Sequence, residues 1–159
     1  MPRQHQGQPQ RQTVTCPNCG RTNRVRAAAE GWPRCGNCKA PLPWIADAGD
    51  DDFAEIAEQA APYVVVDLWA PWCGPCLMVS PALEQVAREL AGQIKLVKVD
   101  IDRSPELARR FEVQAVPTLL VLHKGEVIAR QTGAAPAHLL RPWVEGTIAG
   151  HRPGQSPEG

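Results

Sequence analysis

Cys73-Gly74-Pro75-Cys76, placed just after the apolar run Tyr63 to Trp69, is the feature that most narrows the folds open to this chain. It asks for a buried strand, a sharp turn and a helix in close succession. Two cysteines three positions apart at a helix start fall on one face, close enough to form a small disulfide ring with little backbone movement. Helix N-terminal amides and the macrodipole favour a thiolate at the first of them and lower its pKa. Cys73 is therefore expected to be a nucleophile, with Cys76 resolving what Cys73 attacks. The competing reading makes the pair half of a metal site or two small buried residues. A C-x-x-C beside a βα pattern favours redox chemistry over both.

The other four of the six cysteines form two further C-x-x-C pairs, Cys16-Pro17-Asn18-Cys19 and Cys35-Gly36-Asn37-Cys38, with fifteen residues between them. That spacing fits a four-thiolate zinc site. Each pair predicts a tight turn whose amides point at the sulfurs, with Gly20 and Gly36 supplying the conformations such turns demand. Four protein thiolates leave no open coordination position, so one structural zinc ion is expected rather than a hydrolytic one. An iron–sulfur centre or two more redox disulfides are the alternatives. Structural zinc contributes on the order of 10 to 16 kcal/mol in finger peptides, and in so short a module that is largely folding free energy.

The 159 residues suffice for one domain of about 100 residues with a small module and tails. The expected division is a disordered tail over 1–12, a zinc-binding module over 13–43, an α/β domain over 44–150 and a second disordered tail over 151–159. The tails are too polar to order themselves, and Pro41-Leu42-Pro43 sets the boundary near Trp44. Net charge is zero but unevenly divided, since Arg3, Arg11, Arg21, Arg24, Arg26, Arg34 and Lys39 oppose Glu30 alone before Ala46. Nucleic acid is not the expected partner, because thiolate ligation supplies negative charge for the arginines to offset and no aromatic platform is interleaved with them. Met1 to Thr15 lacks the hydrophobic segment of a secretory signal and no stretch approaches transmembrane length. Metal-binding and catalytic thiols suit a reducing compartment, so a cytoplasmic location without membrane contact is expected.

Along the second module, Asp50-Asp51-Asp52 predicts a helix start for Phe53 to Ala60, and Tyr63 to Trp69 a doubly covered strand. The helix opened by the dithiol carries apolar Met78, Leu83, Val86, Ala87 and Leu90. Ile94 to Val99 reads as a strand and Ser104-Pro105-Glu106 as a capped helix start. Thr118 to Leu122 and Val127 to Arg130 read as strands joined across Lys124-Gly125, with a last helix from about Pro136. The alternation gives an α/β fold whose closing hairpin makes the sheet mixed.

With Ala70-Pro71-Trp72 before the dithiol, Asp67 in the preceding strand and Val116-Pro117-Thr118 further on, the chain from about Trp44 to Ala149 resembles the thioredoxin family. Its N-terminal cysteines resemble those of the family's zinc-containing bacterial members. The resemblance implies a thioredoxin fold, a central mixed sheet flanked by helices, with a zinc-ribbon-like module before it. Asp67 interrupts an apolar strand, where burial raises a carboxyl pKa; the family's aspartate at this position accepts the resolving cysteine's proton through water. Lys98 matches the family lysine near that aspartate, or else is a snorkelling surface residue. Trp72, Gly74, Pro75, Val116, Pro117 and Gly133 match the family's substrate groove, with a cis Val116–Pro117 bond facing the dithiol and Val116 offering backbone hydrogen bonds to an extended segment. Leu77 departs from the pattern, since many members carry a basic residue after the second cysteine.

The implied activity is that of a protein-disulfide reductase acting on cytosolic proteins. It would be a monomer without bound organic cofactor, drawing electrons from NADPH through thioredoxin reductase. An alternative is a redox-responsive zinc protein that releases metal on oxidation and exposes apolar surface for chaperone-like or regulatory binding. A zinc-ribbon adaptor on a thioredoxin scaffold is a third.

Overall fold

The computed structural model describes residues 11–29 and 31–151. Most of both expected tails lies outside the described residues, but their inner ends are structured. Strand β1 begins at Arg11, inside the segment expected to be a tail. At the other end, His151 Nδ1 lies 3.0 Å from the Tyr63 hydroxyl, whose ring stacks on His123 at 4.3 Å.

Strands β1 (Arg11–Thr15) and β2 (Thr22–Arg26) pair antiparallel as a small separate sheet. The larger sheet contains β3 (Trp44–Ala48), β4 (Tyr63–Trp69), β5 (Ile94–Asp100), β6 (Thr118–His123) and β7 (Glu126–Thr132), in the order β3-β5-β4-β6-β7. β3, β5 and β4 run parallel, while β6 and β7 run antiparallel, so the sheet is mixed. Strand β3 has no counterpart in the sequence reading, because Asp47 interrupts its short apolar pattern. Both faces are covered. Helices α1 (Gly74–Glu89) and α3 (Ala137–Gly150) pack on the face carrying Val65, Leu96, Leu119 and Val121. A π-helical turn over Ala54–Glu58 and α2 (Pro105–Arg110) cover Val64, Val66, Val97 and Leu120 on the other. Among the described residues no helix is long and apolar enough to cross a membrane.

Four local expectations are corrected. The helix expected over Phe53 to Ala60 is a π turn in which the Gln59 amide bonds Ala54 O at 2.8 Å. Within that turn, the Lys95 ammonium donates to Ile56 O at 2.6 Å, the carbonyl an α-helix would offer to Ala60. The acid triplet does not cap that turn with Asp50. The Asp50 carboxylate instead accepts from the amides of Glu106 (3.1 Å) and Leu107 (2.9 Å), so it caps α2 from across the fold, and Ser104 makes no side-chain cap. On α1, Met78 is 74% exposed and Val79 takes the buried position.

The two modules are joined by more than the chain. Trp44 begins β3, yet it packs with Cys16, Val25, Cys35 and Leu42 in the core of the N-terminal module, edge-on to Trp32 at 5.4 Å. Its indole N–H donates to Arg26 O at 2.8 Å. Lys95, 1% exposed, donates to Ala27 O at 2.5 Å and lies 3.9 Å from the centre of the Trp44 ring. This junction sits at the start of the parallel strands. The dithiol follows their other end, about 17 Å along β5 from Lys95 to Asp100 at strand rise.

Candidate active site and metal centre

β4 is apolar on both faces except at Asp67, and buried Ala70 follows it, its carbonyl accepting the Cys73 amide at 3.1 Å to turn the chain into α1. Cys73 and Cys76 form a disulfide with their Cα atoms 5.3 Å apart. Cys73 occupies the N-cap with extended backbone, and its Sγ accepts the Cys76 amide at 3.1 Å. Pro75, in the first turn, lacks the N–H that would have no partner there. The Cys73 sulfur thus sits where backbone N–H groups and the positive end of the helix stabilise a thiolate.

Across from the helix start, Cys73 Sγ lies 3.6 Å from Val116 O, and the Val116–Pro117 bond is cis. Gly133, at φ +101°, donates its amide to Pro117 O at 2.9 Å, which ties the β7 end to this loop. Trp72 is 69% exposed, its indole N–H on Asp102 Oδ1 at 3.3 Å, and Gly74 and Pro75 are exposed beside it. Leu77 is 70% exposed on the same rim. The sequence-expected groove residues are therefore gathered around one disulfide.

In β4, three residues before Ala70, Asp67 is fully buried, and neither carboxyl oxygen has a hydrogen-bond partner among the described residues. Burial pushes its pKa up to about 6, with Lys98 opposing the shift and Glu84 adding to it. Lys98 is paired with Asp67 in the β4–β5 register, but its ammonium bonds Glu84 Oε2 at 2.9 Å. Trp69 packs against Ala70 and the cysteines, with its indole nitrogen buried and unpartnered among the described residues.

A carboxyl whose folded pKa is raised keeps its proton where the unfolded chain has lost it. Stability therefore falls as pH climbs from about 4 to 6, and the penalty is complete above that window. Asp67→Asn is expected to stabilise the oxidised protein by up to about 3 kcal/mol near neutral pH and to have little effect below about pH 4. Denaturant melts at the two pH values check this, and an equal effect at both would contradict it.

In the N-terminal module, Cys16 and Cys38 sulfurs lie 3.6 Å apart, as do those of Cys19 and Cys35, and all four fall within 4.8 Å of one another. A tetrahedron with metal–sulfur bonds of about 2.3 Å has edges of about 3.8 Å. These separations suit one four-coordinate ion and are too long for disulfides. A multi-iron cluster would need the sulfurs spread over separate irons. The two turns are near-copies. Asn18 and Asn37 amides each point at the sulfur two residues back at 3.4 Å, and the Asn18 and Asn37 side chains donate across to Cys38 (3.3 Å) and Cys19 (3.5 Å). Gly20 takes the left-handed conformation at φ +83° in the first turn, but in the second Lys39 does so at φ +69°, not Gly36 as the sequence suggested. Gly36 instead donates its amide to Asn23 Oδ1 at 2.9 Å. The Cys38 amide, opposed by burial and helped by Asn23, holds the Cys35 thiol down at about 5, which suits a thiolate ligand.

Sequence reasoning missed Lys95, Glu84 and Asp47. A signal for the first was present. Lys95 and Lys98 are three apart in one strand and so point to opposite faces of a doubly covered sheet, where each needs partners. Asp47, opposite Lys98 in the β3–β5 register, was hidden in a strand the sequence did not reveal.

The family model for thioredoxin matches residues 45–146. The chain is 42% identical over 100 residues to a thioredoxin of Bacillus subtilis, a match spanning 63% of this chain and 94% of that protein. It is 33% identical over 136 residues to thioredoxin C-3 of Corynebacterium nephridii, covering 83% of this chain and 92% of that protein. A bifunctional thioredoxin reductase/thioredoxin of Mycobacterium leprae shares 44% identity over 90 residues, 56% of this chain and 19% of the longer protein. The disulfide at the helix start, set at the end of a buried strand within the matched region, makes this chain a thiol–disulfide oxidoreductase that belongs to the thioredoxin family.

Proposed function

We propose that the chain reduces disulfides of cytoplasmic proteins with Cys73 as nucleophile, Cys76 as resolving thiol and Asp67 as proton acceptor. The Cys73 thiolate attacks one sulfur of a partner disulfide, and the other partner sulfur leaves as a thiolate and takes a proton. Asp67 takes the proton of Cys76, directly or through water, and the Cys76 thiolate attacks Cys73 Sγ. The second partner sulfur leaves as a thiolate and is protonated, and the Cys73–Cys76 disulfide remains. One observation carries this reading: the disulfide at the N-terminus of α1, with Val116 O 3.6 Å from Cys73 Sγ. In this reading Trp72, Gly74, Pro75, Val116, Pro117 and Gly133 form the groove that receives the partner, and Lys98 sets the electrostatics around Asp67.

The electrons come from NADPH through thioredoxin reductase, a reading supported by the bifunctional relative that joins both activities in one chain. Cys16, Cys19, Cys35 and Cys38 hold one zinc ion, which supplies cross-linking rather than chemistry because four thiolates fill its coordination. In this reading the chain divides into a zinc module over 13–43 and a monomeric catalytic domain over 44–150.

The test is NADPH oxidation by the purified protein with thioredoxin reductase and a disulfide-bonded protein substrate, together with the potential of the dithiol. Turnover is expected, with a potential near the roughly −270 mV of reducing family members. A value near the roughly −180 mV of the isomerases would overturn the reductase assignment.

A further inference from the structure

We propose that Glu84 is a positioning residue for the proton transfer at the dithiol: it holds the Lys98 ammonium against its own carboxylate and so leaves buried Asp67 without a bonded cation, ready to take the proton of Cys76. This role rests on Asp67 being the proton acceptor proposed above. Asp47, Lys98 and Asp67 stand side by side on β3, β5 and β4, with Lys98 in register with both acids. Neighbouring strands are about 4.8 Å apart, so a lysine flanked by two carboxylates would ordinarily bond one of them. Here its Nζ lies 2.9 Å from Glu84 Oε2 on α1, and both oxygens of Asp67 lack a hydrogen-bond partner among the described residues.

The charged groups around this row come from each element packed on it. Lys98 faces Asp67 from β5, Asp47 lies beyond it on β3 with Asp52 near, and Glu84 comes from α1. The β6 residue paired with Asp67 is Leu119, and Leu140 and Val144 of α3 in the same layer are apolar. Cys73 and Cys76 do not titrate while joined as a disulfide. Glu84 thus acts on Asp67 twice in the same direction, by its own charge and by drawing Lys98 away. Without it the ammonium can turn to Asp67, and an opposite charge at about 4–6 Å lowers a carboxyl pKa by about 1–3 units.

The test is to titrate the Asp67 carboxyl carbon by NMR in oxidised wild type, Glu84→Gln, Lys98→Met and the double variant. Glu84 is partly exposed on a helix, where glutamine is an equally good helix former, so the variant folds. Glu84→Gln is expected to lower the Asp67 midpoint by about one unit or more and to lose most of that effect in the Lys98→Met background. It should also slow partner release from the mixed disulfide and move its pH profile down. An unmoved midpoint, or an equal shift in the Lys98→Met background, would overturn the role of Glu84 alone. Unchanged partner release in Asp67→Asn would overturn the proton-acceptor reading and with it the purpose given to Glu84.

Discussion

Cys73→Ser is expected to abolish disulfide reduction, by on the order of a thousandfold or more, while Cys76→Ser keeps the first step and loses the second. The asymmetry follows from geometry. Cys73 is the N-cap of α1, its sulfur receives the Cys76 amide at 3.1 Å, and it lies 3.6 Å from Val116 O. Both sulfurs are nearly buried, so the difference lies in position: Cys76 is inside the first turn of α1, while Cys73 is at its cap. Serine is itself a favourable N-cap, so the first variant should keep the fold and the loss is chemical. Cys76→Ser should accumulate a one-to-one mixed disulfide with a partner protein, stable until an external thiol is added. Intact mass measurement under non-reducing conditions reads both variants. Trapping by Cys73→Ser instead of Cys76→Ser would reverse the assigned roles.

The catalytic end of the molecule was largely legible in the sequence because each element there is locally determined. Tyr63 to Trp69 is a strand by composition alone, and the dithiol sets its own turn and helix start. Asp67 announced itself as a charge inside an apolar run. The illegible parts depend on residues far apart in the chain. Asp50 looks like a cap for its own neighbours but caps α2, 56 and 57 residues on. The π turn over Ala54–Glu58 presents its Ile56 carbonyl to Lys95, 39 residues away, a partner no local pattern announces. Glu84 reads as one more charge on an amphipathic helix until the sheet register sets Lys98 between two carboxylates. Lys39 takes a conformation for which glycine would be the ordinary choice, so glycine placement alone misassigned the second metal turn.

Removing metal from the four N-terminal thiolates is expected to unfold that module and, through Lys95, to weaken the catalytic domain as well. The module buries Cys16, Val25, Cys35, Leu42 and Trp44, too small a core to fold alone, so most of its stability comes from the metal. Its unfolding carries Ala27 away from Lys95, whose buried ammonium then keeps Ile56 O and loses the 2.5 Å bond to Ala27 O. A hydrogen bond to a charged group contributes about 1.5–3 kcal/mol, which corresponds to roughly 10 °C in the melting temperature of a domain this size. Burial already lowers the Lys95 pKa to about 8, so loss of the second carbonyl favours neutralisation or water entry at the start of the parallel strands. Lys95→Met removes the buried charge. It should lower the stability of the metal-loaded protein by leaving two carbonyls unpaired, yet shrink the further loss caused by a chelator. Calorimetry of the oxidised wild type and Lys95→Met, each with and without chelator, measures the coupling. Equal chelator-induced losses in both proteins would show that the module and the catalytic domain are joined through other contacts, such as the Trp44 indole on Arg26 O, rather than through the lysine.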